Sequence, residues 1–390
     1  MPFANRTAHL RPEGAYQVLA RANQMEAMGR EIIHFEIGQP DYATFENVSQ
    51  AGIDAIRSGK TRYTPPAGMP SLRAAIAADA GSRRGIEVQP DEVVVSPGGK
   101  PNLFFPTLAL VEPGDEVIYP DPGFPTYEAM IKVAGGVPVA VPLLENNNFS
   151  FDLNAFDQLI TQRTRLVILN SPSNPTGGVI PLVDLEHIAA QAIKMDSWVM
   201  SDEIYARIVY DGLEAPSIAA LPGMRERTII VDGFSKTYSM TGWRLGYGIM
   251  PKDLADRVDL LLTHSIGSTA HFTQFAGLEA VTGSQDMVAV MVAEYQRRRD
   301  AIIAGLNGIP GFKCQMPQGA FYAFPNITGT GLKSVELANL ILEEAGVALL
   351  PGNSFGQYGE GYLRLSYANS IENIHAGLDK IYRVVNEWIN

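Results

Sequence analysis

Cysteine is almost absent from this 390-residue chain: Cys314 stands alone, which excludes an intrachain disulfide framework and a metal site built on several thiolates. With no histidine beside it, Cys314 reads as a structural thiol rather than a nucleophile. The six histidines show neither HExxH nor any paired spacing suited to a metal. No stretch approaches the ~18 apolar residues of a membrane span, and the opening MPFANRTAHLRPEG lacks the charged-then-apolar order of a signal peptide. Basic residues are in deficit, 30 Lys and Arg against 42 Asp and Glu, so nothing supports nucleic-acid binding. Internal repeats, low-complexity tracts and linkers are missing as well. These absences leave a soluble, cytoplasmic protein, large enough for more than one domain.

What is present centres on Thr228 to Gly248, TIIVDGFSKTYSMTGWRLGYG. The β-branched run from Thr228 to Val231 predicts a buried strand ending at Gly233. Lys236 follows that end, and in an open α/β sheet ligand chemistry collects outside the carboxyl ends of strands. A lysine kept partly neutral by burial or nearby cations can form a Schiff base with a carbonyl. Arg244 adds a planar fork suited to a phosphate. Alone, the stretch also fits a surface lysine and arginine in a loop.

Around it the chain alternates strand and helix. Strands are expected at Ile32 to Ile37, Glu92 to Ser96, Glu116 to Tyr119, Val137 to Val141, Leu166 to Asn170, Trp198 to Ser201, Thr228 to Val231 and Leu245 to Met250. Helical periodicity marks Glu13 to Gly29, and Ser71 to Arg84 with Ser71 as N-cap. This order predicts a mostly parallel, seven-stranded sheet covered on both faces. A long helix from Val288 to Leu306 then leads into an α+β tail of strands (Phe321 to Phe324, Leu363 to Tyr367) and helices (Val335 to Glu344, Ile371 to Trp388). The expected domains are a large one over residues 46–287 and a smaller one built from 1–45 and 288–390.

Chemistry-bearing residues recur at the predicted strand ends. Ser96-Pro-Gly-Gly-Lys-Pro-Asn102 puts two glycines at a strand-to-helix junction, where free backbone N–H groups can cradle an anion; a plain tight turn looks the same. Phe124 in PDPGFPTY offers an apolar face to a ring, or to the core. Asn174 in NSPSNPTGG lies just past a buried strand, where asparagine either caps a turn or bonds a ligand oxygen. WVMSDEIY puts Asp202 at another strand end, with Tyr205 beyond it. An ionised aspartate there needs a cationic partner such as a pyridinium nitrogen, unless it caps a helix.

Taken in order, the glycine turn, aromatic residue, NPTG, DEIY and SKxxxxTGxRxGY resemble the class I aminotransferases of pyridoxal 5'-phosphate (PLP) fold type I. The closest branch is the prokaryotic aspartate-aminotransferase-like one, and the resemblance runs from about Gly38 to the C-terminus. It implies that Lys236 carries the cofactor as an aldimine and shuttles the proton. It implies that Asp202 pairs with the ring nitrogen, that Tyr205 and Asn174 contact the phenolic oxygen, and that Phe124 stacks on the ring. Gly99 and Lys100 would supply backbone donors to the phosphate and Arg244 would clamp it. Ser235 joins as a phosphate ligand, since the position three before the lysine, commonly Ser, is Gly233 here. Arg364, in YLRLSYA, would bind the substrate α-carboxylate, with Gly38 beside it. Tyr63 would reach the phosphate of a neighbouring subunit, implying a homodimer.

The implied reaction is a ping-pong transfer of an amino group from an L-amino acid to a 2-oxo acid, with 2-oxoglutarate or pyruvate as the expected acceptor. The amino acid stays open: Pro101 to Leu110 contains no base for a distal carboxylate, and His264 and His271 either line the pocket or pack in a loop. Two alternatives stand beside this. One is a PLP-dependent lyase or β/γ-replacement enzyme on the same scaffold, and the other a non-catalytic PLP-binding sensor.

Overall fold

The computed structural model describes residues 3–8 and 10–389. Met1, Pro2 and His9, part of the N-terminal stretch read above, and Asn390 lie outside it. Helix α1 (Gly14–Ala27) buries Ala22 and Met25. Strand β1 (Ile33–His34) is shorter than the expected Ile32 to Ile37 run, because only these two residues find ladder partners. Helix α2 (Glu46–Arg57) precedes α3 (Pro70–Arg84), where the reading of Ser71 as N-cap is corrected. Met69 occupies the cap and Pro70 the first helical position, where proline's fixed φ and missing N–H cost nothing.

The central sheet follows. Its elements are β2 (Val93–Ser96), α4 (Lys100–Leu110), β3 (Glu116–Asp121), α5 (Thr126–Ala134), β4 (Val137–Leu144), β5 (Ser150–Phe151), α6 (Leu153–Leu159), β6 (Thr164–Asn170), α7 (Leu182–Lys194), β7 (Trp198–Asp202), β8 (Thr228–Gly233) and β9 (Gly246–Ile249). Strand order is β2-β9-β8-β7-β6-β3-β4-β5. The seven expected strands are joined by a short eighth, β5, antiparallel to β4 at the edge. The run from β8 to β4 is parallel, while β9 lies antiparallel between β8 and β2. Both faces are buried, as a parallel sheet requires: along β6, Leu166 and Ile168 enter one apolar cluster and Val167 and Leu169 another.

Helices α8 (Lys252–Thr263) and α9 (His271–Thr282) lead to α10 (Asp286–Asn307), the long helix expected from the sequence. Beyond it come β10 (Tyr322–Ala323), α11 (Ser334–Leu340), β11 (Val347–Ala348), β12 (Leu350–Pro351), β13 (Leu363–Ser366) and α12 (Ile371–Ile389). The helix expected over Val335 to Glu344 divides: after Leu340 the turn widens into a π-helical segment, Ile341–Ala345, and stops at Gly346 with φ 65°. β1 pairs in parallel with β11, and β13 sits between β10 and β12. Asp121 at the end of β3 accepts backbone N–H bonds from Gln357 and Tyr358, both at 3.0 Å, tying this tail to the sheet.

Candidate active site

The sheet sets the site by register. Ser96 and Gly233 both lie opposite Gly246, and Asn170 lies opposite Asp202, so the carboxyl ends of β2, β6, β7 and β8 form one rim. A cavity of about 720 Å³ opens there. Every residue that the resemblance places in the site lines it except Tyr63.

Lys236 sits just past β8. Its ammonium donates to the Gly38 carbonyl and lies 5.9 and 5.7 Å from the ring centroids of Tyr205 and Phe321. Burial and the charges of Arg364 and Arg244 push its pKa down to about 8, so a substantial neutral fraction exists near neutral pH. That is the property a nucleophilic or proton-moving amine needs.

Asp202, almost fully buried, has no cation hydrogen-bonded to it among the described residues. Burial pushes its pKa up to about 6, against the opposing pull of its hydrogen bond from Tyr127. Tyr127 on α5 is wholly buried, and its hydroxyl donates to Asp202 Oδ2 at 2.7 Å. The sequence reading missed Tyr127; the only signal was its place in PDPGFPTY, three residues after Phe124. Phe124 meets the Tyr127 ring edge-on, with centroids 5.7 Å apart. Tyr205 shares a 2.7 Å hydroxyl contact with Tyr322, a second cavity residue that the sequence reading did not single out.

The anion end is made by absent side chains. Gly98 has φ +81°, and a Cβ there would fall 2.2 Å from Arg244 Nη2. A Cβ on Gly246 would strike the Gly98–Gly99 backbone at 2.5 Å. Two glycines, one in the turn between β2 and α4 and one on β9, thus let the turn, the guanidinium and the N-terminus of α4 converge, with Ser235 on the cavity wall. Arg244 adopts φ 52° and anchors Nη1 on the Thr241 carbonyl at 2.9 Å.

Arg364 reaches the opposite end from β13. It is buried, donates through Nη1 to Asn174 Oδ1 at 3.2 Å and through Nη2 to the Glu36 carbonyl, and stacks between Tyr322 and Phe355. Its Nε has no partner, a buried donor left for an anion. Gly38 keeps this wall thin, because a Cβ there would meet the Tyr322 hydroxyl at 2.3 Å.

Lys100 pairs with Glu13, just before α1, and lies 5.2 Å over the Phe124 ring. Glu13 lines the cavity and was not read as a site residue from the sequence. Tyr63 stands away from the cavity of its own chain, 96% exposed. Neither His264 nor His271 lines the cavity; His271 packs on Phe275, with ring centroids 5.3 Å apart. Cys314 is buried, which pushes its thiol up to about 12 and agrees with a structural role.

The arrangement can hold a cationic ring nitrogen at Asp202, a phosphate at Gly99 and Arg244, and a carboxylate at Arg364, with a reactive amine between them. Comparison with known proteins agrees in kind. The family model described as "Aminotransferase class I and II" matches residues 30–381. An aspartate aminotransferase of Geobacillus stearothermophilus is 38% identical over 98% of both chains. The solved aspartate aminotransferase of Thermus thermophilus with maleate superposes with a TM-score of 0.94 at 37% identity, covering 98% of this chain and all of that one. The aromatic aminotransferase of Pyrococcus horikoshii OT3 gives 0.90 at 38%, covering 94% and 99%.

Proposed function

This chain belongs to the class I and II aminotransferases, and from that membership we propose how its own residues carry out amino-group transfer between an L-amino acid and a 2-oxo acid. One observation carries the reading. A Lys236 amine with a lowered pKa shares one cavity with a buried Asp202 that has no cation hydrogen-bonded to it among the described residues and a buried Arg364 whose Nε has no partner. These groups match the charges of PLP and an amino acid substrate. When bound, PLP supplies an aldehyde that takes up the amino group and a ring that delocalises the electrons left at Cα.

The protein's contribution divides by strand end. Asp202, held by Tyr127, keeps a proton on the ring nitrogen. Tyr205 and Asn174 would hold the phenolic oxygen, and Phe124 would cover a ring face. Gly99, Lys100, Ser235 and Arg244 hold the phosphate. Arg364 grips the substrate carboxylate beside Asn174 and Gly38, which fixes the Cα–H bond for proton transfer. Lys236 would remove that proton and deliver it to the carbon on the far side of the substrate nitrogen, where the cofactor carried its aldehyde. Release of the oxo acid and reaction with a second one complete a ping-pong cycle.

The same reading includes PLP as cofactor, a cytoplasmic location and a homodimer to which Tyr63 contributes; the exposure of Tyr63 supports the last. It also takes residues 46–287 as the cofactor-binding domain, and 1–45 with 288–390 as the second. The pairing of β1 with β11 supports that division. For the donor, the ion pair between Glu13 and Lys100 favours a neutral or aromatic side chain over a carboxylate. A lyase or replacement reaction is not favoured by the aminotransferase relatives.

The test is the visible spectrum of the purified holoenzyme, recorded as single amino acids are added without an oxo acid. A yellow protein bleached by one donor, with the matching oxo acid released in equal amount, supports the proposal. Ammonia released in its place, or a protein that PLP cannot colour, sinks it.

A further inference from the structure

A carboxylate that the reaction does not use is buried beside the substrate arginine. Glu36, at 0% exposure, gives its backbone carbonyl to Arg364 Nη2. Its Oε1 lies 2.7 Å from His34 Nδ1, and its Oε2 has no partner. On the other side of the imidazole, His34 Nε2 lies 3.2 Å from Glu26 Oε1 on α1. The His34 side chain is 31% exposed and Glu26 44%, so this chain of contacts runs from solvent to the wall of the cavity. Glu36 and Glu26 are the charged groups acting on His34; β11 pairs Ala348 with it, and the Asn369 amide donates to the His34 carbonyl at 2.9 Å.

A buried negative charge near a guanidinium weakens the field with which that guanidinium attracts a third, anionic group. Glu36 has that standing toward Arg364, whose charge it acts to retain while burial acts to remove it. Among the described residues, the only cation in hydrogen-bond contact with Glu36 is His34, and only when His34 is protonated. We infer that Glu36 and His34 are positioning residues that set, according to the protonation of His34, how strongly Arg364 holds the substrate carboxylate. With His34 protonated, Glu36 is neutralised and Arg364 faces the substrate with its full charge. With His34 neutral, Glu36 competes with the substrate. Burial opposes protonation of His34, but Glu36 and Glu26 outweigh it and raise its pKa above the usual imidazole value. Substrate affinity therefore falls as pH rises through the titration of His34.

The inference rests on Arg364 being the carboxylate-binding residue, and the test separates the two. KM and kcat for the amino donor are measured across about pH 6–9 for wild type and for Glu36→Gln, His34→Asn and Arg364→Lys. Equilibrium binding of 3-phenylpropionate, a carboxylate without an amine, is measured alongside. Wild-type KM and the dissociation constant of the probe should rise about three- to tenfold as His34 loses its proton, with kcat little changed. Glu36→Gln should remove that rise and bind more tightly than wild type at the alkaline end. His34→Asn should hold the alkaline affinity throughout; lying nearer the surface, it also serves if the Glu36 variant fails to fold. Weaker binding by Glu36→Gln at every pH, with the wild-type pH dependence retained, means a packing role and overturns the inference. An Arg364→Lys variant with unaltered KM overturns the reading of Arg364 itself.

Discussion

The Tyr127 hydroxyl donates to Asp202 at 2.7 Å across two elements, from helix α5 after β3 to the end of β7. It is the side-chain bond that steadies a carboxylate whose pKa burial has pushed from 3.8 up to about 6. The sign of that shift makes a prediction for the cofactor-free protein. A raised carboxyl pKa stabilises the fold fully below the unfolded value, and the contribution is lost as pH rises through about 6. Asp202→Asn should therefore gain stability over wild type, on the order of 2–3 kcal/mol at pH 8 and little at pH 4. Urea unfolding of the two apoproteins at both pH values checks this, and equal gains at both would refute it. Tyr127→Phe should instead cost about 1–3 kcal/mol at pH 8 by leaving the carboxylate without its donor.

Lys236→Met should separate activity from stability. It removes the amine proposed to move the proton, and kcat should fall by roughly 10²–10⁴ or more. It also removes a half-buried cation pressed by Arg364 and Arg244, so the cofactor-free variant should unfold at a higher temperature than wild type. A variant that loses activity because it unfolds more easily would contradict the burial argument.

Gly98→Ala probes the anion end. The added Cβ would stand 2.2 Å from Arg244 Nη2 at a φ that L-residues avoid, so the guanidinium has to move. PLP affinity, measured by spectroscopic titration of apoprotein, should fall at least about tenfold. Unchanged affinity would mean that Arg244 does not hold the phosphate.

Beneath the rim, Arg84 donates to Glu203 at 2.6 Å and to Asp232 at 2.9 Å, all three buried. Burial alone would lower the Arg84 pKa; the two carboxylates reverse this and raise it. Arg84→Met leaves buried Glu203 without its cation and Asp232 with only Arg83, 3.4 Å away, and should cost about 3–5 kcal/mol, read from urea denaturation. A loss below ~1 kcal/mol would show that the network contributes little.

Glu13→Gln tests side-chain preference. With Glu13 present, the Lys100 ammonium is paired; without its charge, Lys100 is free to meet a distal carboxylate. The ratio of kcat/KM for aspartate to that for alanine should rise about tenfold. A ratio that stays fixed would mean that Lys100 does not face the substrate side chain.

The strand ends and their motif residues were legible in the sequence because each motif is local: a β-branched run, a turn and one polar residue beyond it. Asp202, Asn174 and Lys236 could be placed without knowing what touches them. Tyr127 could not, because a tyrosine in a helix looks like core until the strand beneath it is known to end in Asp202. Glu36 and Glu13 were hidden for the same reason, their partners being 328 and 87 residues away in the chain. β5 escaped notice because two residues carry no periodicity. Ser71 misled because a hydroxyl beside a helical run is a cap signal only when no proline precedes it.

Strand β9 lies between β2 and β8, although it comes last of the three in the chain. On a ribosome, the Gly98–Gly99 turn is therefore made early but has nothing to lie against until Gly246 emerges, about 150 residues later. Lys236 and Asp202 are synthesised before the strand that joins them to the phosphate cradle, and Arg364 more than a hundred residues after it. On the proposed roles, a nascent chain can thus complete its cofactor cradle while still unable to grip a substrate, and chemistry waits for the last part of the polypeptide.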